Sequence, residues 1–182
     1  MRVFLAINLP NPVRYELEAI LHEAEQNNDF PGLRWIKPKS LHLTLHFLGD
    51  QDEQSVKRII EISKLVAKKF HPLNVRMGEW GGFPNLQQPR IVYISLVDTD
   101  VLLNLQKDIG VHLKSAGYEI EKRPWQSHIT VARNKNFNNQ INLKLPGLSK
   151  LEWEISSFEL MQSQLLPDGA EYETVKSFAL GR

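Results

Sequence analysis

The chain has no cysteine among its 182 residues. Disulfides, thiolate metal sites, iron–sulfur clusters and cysteine nucleophiles are thereby excluded, and the composition suits the cytoplasm. Charge of one sign is also missing, since 22 Lys and Arg stand against 21 Asp and Glu for a formal net charge of +1. A protein that coats long nucleic acid or adheres to a membrane needs a large one-signed field, and this balance supplies none. A small anion held in a local basic cleft remains open. Long apolar runs are absent too: no stretch approaches the roughly 18 apolar residues of a membrane span. The opening run meets Pro10 and Pro12 at once, too soon for a signal peptide. The expectation is a soluble intracellular protein whose length fits one compact domain with a real core.

Apolar periodicity and turn residues divide the chain into alternating strands and helices. Val3–Leu9 reads as a buried strand ending at Pro10. A helix over 12–27 carries Val13, Leu17, Ile20, Leu21 and Ala24 at helical spacing, with Asn11 as expected N-cap and Pro12 at N1. Leu33–Ile36 and Leu41–Leu48 are strands. Val56, Ile59, Ile60, Ser63, Ala67 and Phe70 mark a second helix, opened by acidic residues and closed by Lys68 and Lys69, as the helix dipole favours. Strands over 72–79, 90–96 and 126–132 follow, with a third helix through Leu102, Leu105, Ile109 and Leu113 that stops at Gly117. Residues 134–150 read as a long loop. The end reads as a hairpin of 151–165 and 171–180 around a Pro167-Asp168-Gly169 turn.

The order of elements repeats. Strand, helix and then Lys37-Pro38-x-x-x-His42-Leu-Thr44-Leu is followed by strand, helix and then Arg123-Pro124-x-x-x-His128-Ile-Thr130-Val. Any α/β chain repeats strand and helix, but the matched basic-Pro-x-x-x-His-apolar-Thr-apolar landmarks make coincidence a poor explanation, and the pattern reads as an internal duplication. On a strand, side chains alternate between faces. His42 and Thr44 therefore share one face, as do His128 and Thr130, while Leu43, Leu45, Ile129 and Val131 take the other. Two lobes facing each other would bring two imidazoles and two hydroxyls around one space. Imidazole titrates near pH 6.5, so one ring can accept a proton while the other donates. Cleavage of a phosphate ester needs that pairing, with hydroxyls to hold the non-bridging oxygens, and it requires neither metal nor cofactor. His42 and His46 are four apart but on a strand, and position 43 is Leu where a helical zinc-hydrolase motif needs Glu. His46 itself is expected on the face of His42, towards the cleft mouth. His22, His71 and His112 carry no pattern.

The paired His-x-Thr-x motifs resemble those of the two-histidine phosphoesterase superfamily, in its RNA 2',3'-cyclic phosphodiesterase branch, long named 2'-5' RNA ligases. The likeness runs over nearly the whole chain: RVFLAINLP, WIKPKSLHLTLHFLGD, FPNLQQPRIVYISL, SHITVAR and QSQLLPDGAEYETVKSFAL. It implies an α+β fold over residues 1–182, a single domain of two pseudo-symmetric lobes. Two antiparallel sheets would line a central groove, with helices packed outside. It implies that His42 protonates the departing 3' oxygen and His128 activates water, giving a 2'-phosphate end. Thr44, Thr130 and Arg133 would bind the phosphoryl oxygens. Strict alternation points Arg133 away from His128, so it can serve only if the strand ends or bulges near Ala132. The family position of His46 is more variable and often basic, and that of Tyr93 is often Trp. The implied partners are RNA ends or oligonucleotides with a 2',3'-cyclic phosphate, tRNA fragments among them, with no membrane, no cofactor and a monomeric protein. Weak reverse 2'-5' ligation would share the transition state. Two other readings stay open: a phosphodiesterase for small cyclic nucleotides or 2'-5' oligonucleotides, and a module that grips RNA ends without turnover. Trp35, Trp125 and Tyr93 are candidates to stack on a base. Arg34, Lys37, Lys39, Lys122 and Arg123 would make the groove mouth basic.

Overall fold

The computed structural model describes residues 1–97, 99–166 and 169–181. These form nine strands, three α-helices and one short 3-10 turn. The first half runs β1 (Arg2–Asn8), α1 (Asn11–Asn27), β2 (Leu33–Trp35), the 3-10 turn Pro38–Ser40, β3 (His42–Asp50), α2 (Glu53–Ala67) and β4 (Leu73–Phe83). The second runs β5 (Ile91–Val97), α3 (Asp100–Ser115), β6 (His128–Asn134), β7 (Glu152–Ile155), β8 (Ser157–Leu166) and β9 (Gly169–Ala179).

The strands are ordered β7-β4-β5-β6-β3-β1-β8-β9, and every adjacent pair is antiparallel. The α+β class, the antiparallel sheets and the packed helices are those expected. The two expected sheets are not separate, however. They meet where β3 and β6 touch at one pair, Leu43 opposite Ile129. Beyond that pair the strands diverge, and β2 fills the wedge by pairing with β6 from Leu33–Asn134 to Trp35–Ala132. The sheet is therefore continuous but curled about its centre.

One face of the sheet carries the core. Leu5, Ile7, Leu43, Leu45, Ile94, Ile129 and Val131 pack in one cluster with Val13 and Leu17 of α1 and Leu102, Leu105, Ile109 and Leu113 of α3. All are almost fully removed from water, and each side chain of this size contributes about 1.5–3 kcal/mol on burial. The opposite face holds a second, small cluster of Phe4, Ala6 and Met161, with Tyr172 against it.

Two expectations about individual elements are corrected. α1 begins at Asn11 with Pro10 as N-cap, and no side chain caps it, because Pro fits the first turn without needing an amide partner. The strand expected over 151–165 breaks at Ser156 into β7, which joins β4, and β8, which joins β1 and β9. The backbone at the break is held by Leu180 N–H donating to the Ser156 carbonyl at 2.9 Å. Of the expected final turn, Pro167 and Asp168 lie outside the described residues.

Candidate active site

His42 and His128 open β3 and β6, the two strands at the centre of the sheet. The antiparallel pair Leu43–Ile129 sets His42 abreast of Thr130 and Thr44 abreast of His128. Leu43 and Ile129 face the core, so these four polar side chains project from the other face into one groove.

The two histidines are held in the same way. The Nδ1–H of His42 donates to the Ser40 carbonyl at 2.8 Å, and that of His128 donates to the Gln126 carbonyl at 2.7 Å. A carbonyl can only accept, so each Nδ1 carries the proton and each Nε2 of the neutral ring is a bare acceptor facing the groove. The carbonyl comes two residues before the histidine in both cases, which is why each motif is preceded by a short non-strand segment. Rings complete the support. His42 lies 5.0 Å from Phe4 and 4.9 Å from Tyr172, while His128 lies 5.2 Å from Phe83 and 5.3 Å from Tyr93. Tyr93 in turn lies over Gly81, where a Cβ would clash with its ring.

The same irregularity recurs in both central strands. Opposite Leu5 and Ala6, β3 places His46 and Thr44, which leaves Leu45 as an extra residue. Opposite Val92 and Tyr93, β6 places Ala132 and Thr130, which leaves Val131 extra. A bulge of one residue reverses the alternation beyond it. Arg133 thus returns to the groove face, where its charge lowers the pKa of both His42 and His128. The matching bulge at Leu45 of β3 corrects the expectation for His46. Its ring turns to the core face, 4% exposed, and Nε2–H donates to the Gln106 carbonyl of α3 at 2.8 Å. Gly110 leaves the room, since a Cβ there would meet His46 Cε1 at 2.9 Å. His46 does not reach the groove.

Electrostatics keep both groove imidazoles neutral in the free protein. Burial pushes His42 down to about 4, offset in part by its bond to Ser40 and reinforced by the charges of Arg133 and Arg14. Burial also lowers His128, with Arg133 adding to it. An anion placed between them would reverse these signs and favour imidazolium.

Beside His42 opens a pocket of about 480 Å³, lined by Asn8, Arg14, Lys39, Ser40, Tyr172 and Thr174 among others. Arg14 gave no signal in the sequence beyond its place on a predicted helix. Its guanidinium donates to the carbonyls of Leu9 at 2.8 Å, Pro38 at 3.1 Å and Lys39 at 2.7 Å, tying the end of β1 to the 3-10 turn that carries Ser40. Trp35 and Trp125 pack against the core, and Trp125 Nε1–H donates to the Thr44 carbonyl at 3.0 Å. Of the basic residues expected at the groove mouth, Lys39 lines the pocket, while Arg123 is engaged with Glu121 at 2.6 Å. Among the described residues no group of three or more His, Asp or Glu could hold a metal ion.

The LigT-like phosphoesterase family model matches residues 7–93, a span that includes His42 and Thr44. An RNA 2',3'-cyclic phosphodiesterase of Archaeoglobus fulgidus is 32% identical over 181 residues, covering 98% of this chain and 99% of the relative. The chain belongs to the LigT-like phosphoesterase family. The resemblance read from the two motifs is thereby borne out. An RNA 2',3'-cyclic phosphodiesterase of Thermus thermophilus is 32% identical over 187 residues, covering 99% of this chain and 90% of that one. Among solved structures, TT0787 of Thermus thermophilus superposes with a TM-score of 0.83 at 31% identity, over 99% of this chain and 98% of its own. No helix among the described residues is long and apolar enough to cross a membrane.

Proposed function

We propose that this protein hydrolyses RNA 2',3'-cyclic phosphate ends to 2'-phosphate ends by acid–base catalysis between His42 and His128. The observation that carries the reading is the matched pair of Nδ1–carbonyl bonds, which leaves two bare Nε2 atoms on one groove beside two hydroxyls. Family membership and the names of the full-length relatives support the reaction class. In this mechanism Nε2 of His128 takes a proton from water, whose oxygen attacks phosphorus. The P–O3' bond breaks, and Nε2–H of a protonated His42 gives its proton to the departing O3'. Turnover leaves His42 neutral and His128 charged, and solvent exchange resets the pair. The division of roles follows the family resemblance. Thr44, Thr130 and Arg133 hold the non-bridging oxygens and bear the charge that grows on them. Since His42 is neutral in the free protein, the anionic substrate must draw its proton in on binding.

The same proposal takes the chain as one domain of two pseudo-symmetric lobes, acting as a monomer in the cytoplasm on RNA ends that include tRNA fragments. Attack by a 5'-hydroxyl in place of water, with the same base and acid and the same departure of O3', would join ends weakly through a 2'-5' link, and attack of O3' on that link would be the reverse. Product analysis on a short RNA ending in a 2',3'-cyclic phosphate tests the reading. The expected product is the 2'-phosphate alone. A 3'-phosphate product, or an unchanged substrate, would contradict it.

A further inference from the structure

A second arginine stands beside Arg133. β2 pairs with β6, and its register sets Arg34 directly opposite Arg133. Leu33 and Trp35, on either side of Arg34, both pack on the core, so alternation turns Arg34 to the groove face. Directly opposed residues of an antiparallel pair share a face, and Arg133 is on the groove face, which gives the same placement by a separate route. The register is pinned at the bulge itself, where the Ile36 N–H donates to the Val131 carbonyl at 2.8 Å.

Like charges directly opposite each other work against a sheet, and here nothing in the fold offsets them. Both arginines are exposed, and neither guanidinium donates a hydrogen bond or forms an ion pair among the described residues. Other arginines are spent: Arg14 on three carbonyls, Arg123 on Glu121, and Arg90 over the Phe137 ring at 4.0 Å. What such a bare pair lacks is an anion, and guanidinium donors match phosphate oxygens in paired, charge-assisted bonds. The two arginines do not serve one phosphate equally. The charges felt at His42 are those of Arg133, Arg14 and His128, not that of Arg34. Arg133 therefore belongs to the reacting phosphate, and Arg34 stands one strand further out, about 4.8 Å to the side. An RNA end carries its next phosphate one nucleotide upstream, and a mononucleoside cyclic phosphate has none.

We propose that Arg34 holds the phosphodiester that precedes the cyclic phosphate in an RNA strand, so that the site prefers an oligonucleotide end to a mononucleoside cyclic phosphate. The inference rests on the RNA-end reading and adds the place of a second phosphate to it. The test uses three substrates: ApA ending in a 2',3'-cyclic phosphate, the same dinucleotide with an uncharged methylphosphonate linkage, and adenosine 2',3'-cyclic phosphate. Wild type should show its lowest KM on the charged dinucleotide. Arg34→Gln should raise that KM about tenfold with kcat little changed, the scale of one charge-assisted contact. On the other two substrates it should match the wild type, and Arg34→Lys, which keeps the charge without the fork, should fall between. In wild type, log KM should rise with log salt more steeply for the charged dinucleotide than for the methylphosphonate, by about 0.7 for the one phosphate. Arg34→Gln should remove that difference. Equal losses on all three substrates, or no loss on the charged dinucleotide, would overturn the inference. A second readout does not depend on turnover. Calorimetry with ApA ending in a 2'-phosphate should show binding weakened about tenfold by Arg34→Gln, and no weakening for its methylphosphonate analogue. Equal affinity of wild type and variant for the charged ligand would also overturn it. That same binding difference in a protein that hydrolyses none of the cyclic substrates would sink the hydrolysis reading and leave the phosphate site standing.

Discussion

Replacing His42 by Asn should remove most of one specific acid instability. Asn keeps a donor for the Ser40 carbonyl but cannot titrate. In the folded protein burial holds His42 at about 4, against the ordinary 6.5 that it regains on unfolding. A depressed imidazole favours the neutral ring in the fold, so its contribution is fully present above pH 6.5 and is lost as pH falls from 6.5 through 4. At pH 4.5 the unfolded chain binds about three-quarters of a proton more at this site than the folded one. Integrating between those two values gives a loss of about 2–3 kcal/mol relative to pH 7. His46 and His128 are also lowered, but they are present in both proteins and cancel in the comparison. Urea denaturation of wild type and His42→Asn at pH 7 and 4.5 measures the difference. The pH-dependent loss should be about 2–3 kcal/mol smaller in the variant. Equal losses in the two proteins would show that His42 is not held neutral, and the burial argument would fall. The same electrostatics bear on catalysis. The active form needs one proton on a pair whose members both sit below 6.5 when free, so kcat/KM should peak on the acid side of 6.5 and decline towards pH 8. The alkaline limb of kcat should lie higher, because bound phosphate stabilises imidazolium. A kcat/KM that rises between pH 7 and 8 would refute this.

Activity should survive EDTA, because every proton transfer and phosphate contact is assigned to side chains. Loss on chelation with recovery by one divalent ion would overturn that assignment. Thr44→Ala and Thr130→Ala should each lower kcat/KM by the equivalent of about 1.5–3 kcal/mol, the scale of one hydrogen bond to a charged group. Steady-state kinetics unchanged in both would remove the hydroxyls from the site. Gly110→Ala should cost about 1–3 kcal/mol of stability by overpacking against His46, since the new Cβ would lie 2.9 Å from Cε1 and 3.2 Å from Nε2. An unchanged melting temperature would mean that His46 is not packed on α3.

The site was legible where strand alternation is unbroken. His42 and Thr44, and likewise His128 and Thr130, need only a period of two and an aliphatic partner face. Beyond residues 44 and 130 the period fails, because nothing in the sequence marks Leu45 or Val131 as an unpaired residue. Both look like ordinary core positions. The bulge at Leu45 therefore moved His46 to the core, and the one at Val131 left Arg133 readable only through family likeness and the explicit condition of a bulge near Ala132. The supporting groups were out of reach for a different reason: Phe4 and Tyr172 meet the site through pairings of β1, β8 and β9 that join distant parts of the chain, and Arg14 through hydrogen bonds from α1 to the 3-10 turn. Likewise the break at Ser156 is a choice between two sheet edges, which local propensity does not record. The helices were easier, because each carries its apolar face in its own sequence.

The assignment of acid and base to a particular histidine is tested most directly by a change at the leaving atom. A 2',3'-cyclic substrate with sulfur in place of the 3' oxygen needs no proton as the P–S bond breaks. Against the natural substrate, His42→Ala and His128→Ala should each lose about a hundredfold or more in kcat, the scale of a lost general acid or base. Neither should lose its fold, since Leu43 and Ile129 rather than the histidines supply the burial. On the 3'-thio substrate His42→Ala should recover most of its rate and His128→Ala almost none. Equal recovery in both variants, or recovery in His128→Ala alone, would contradict the assignment.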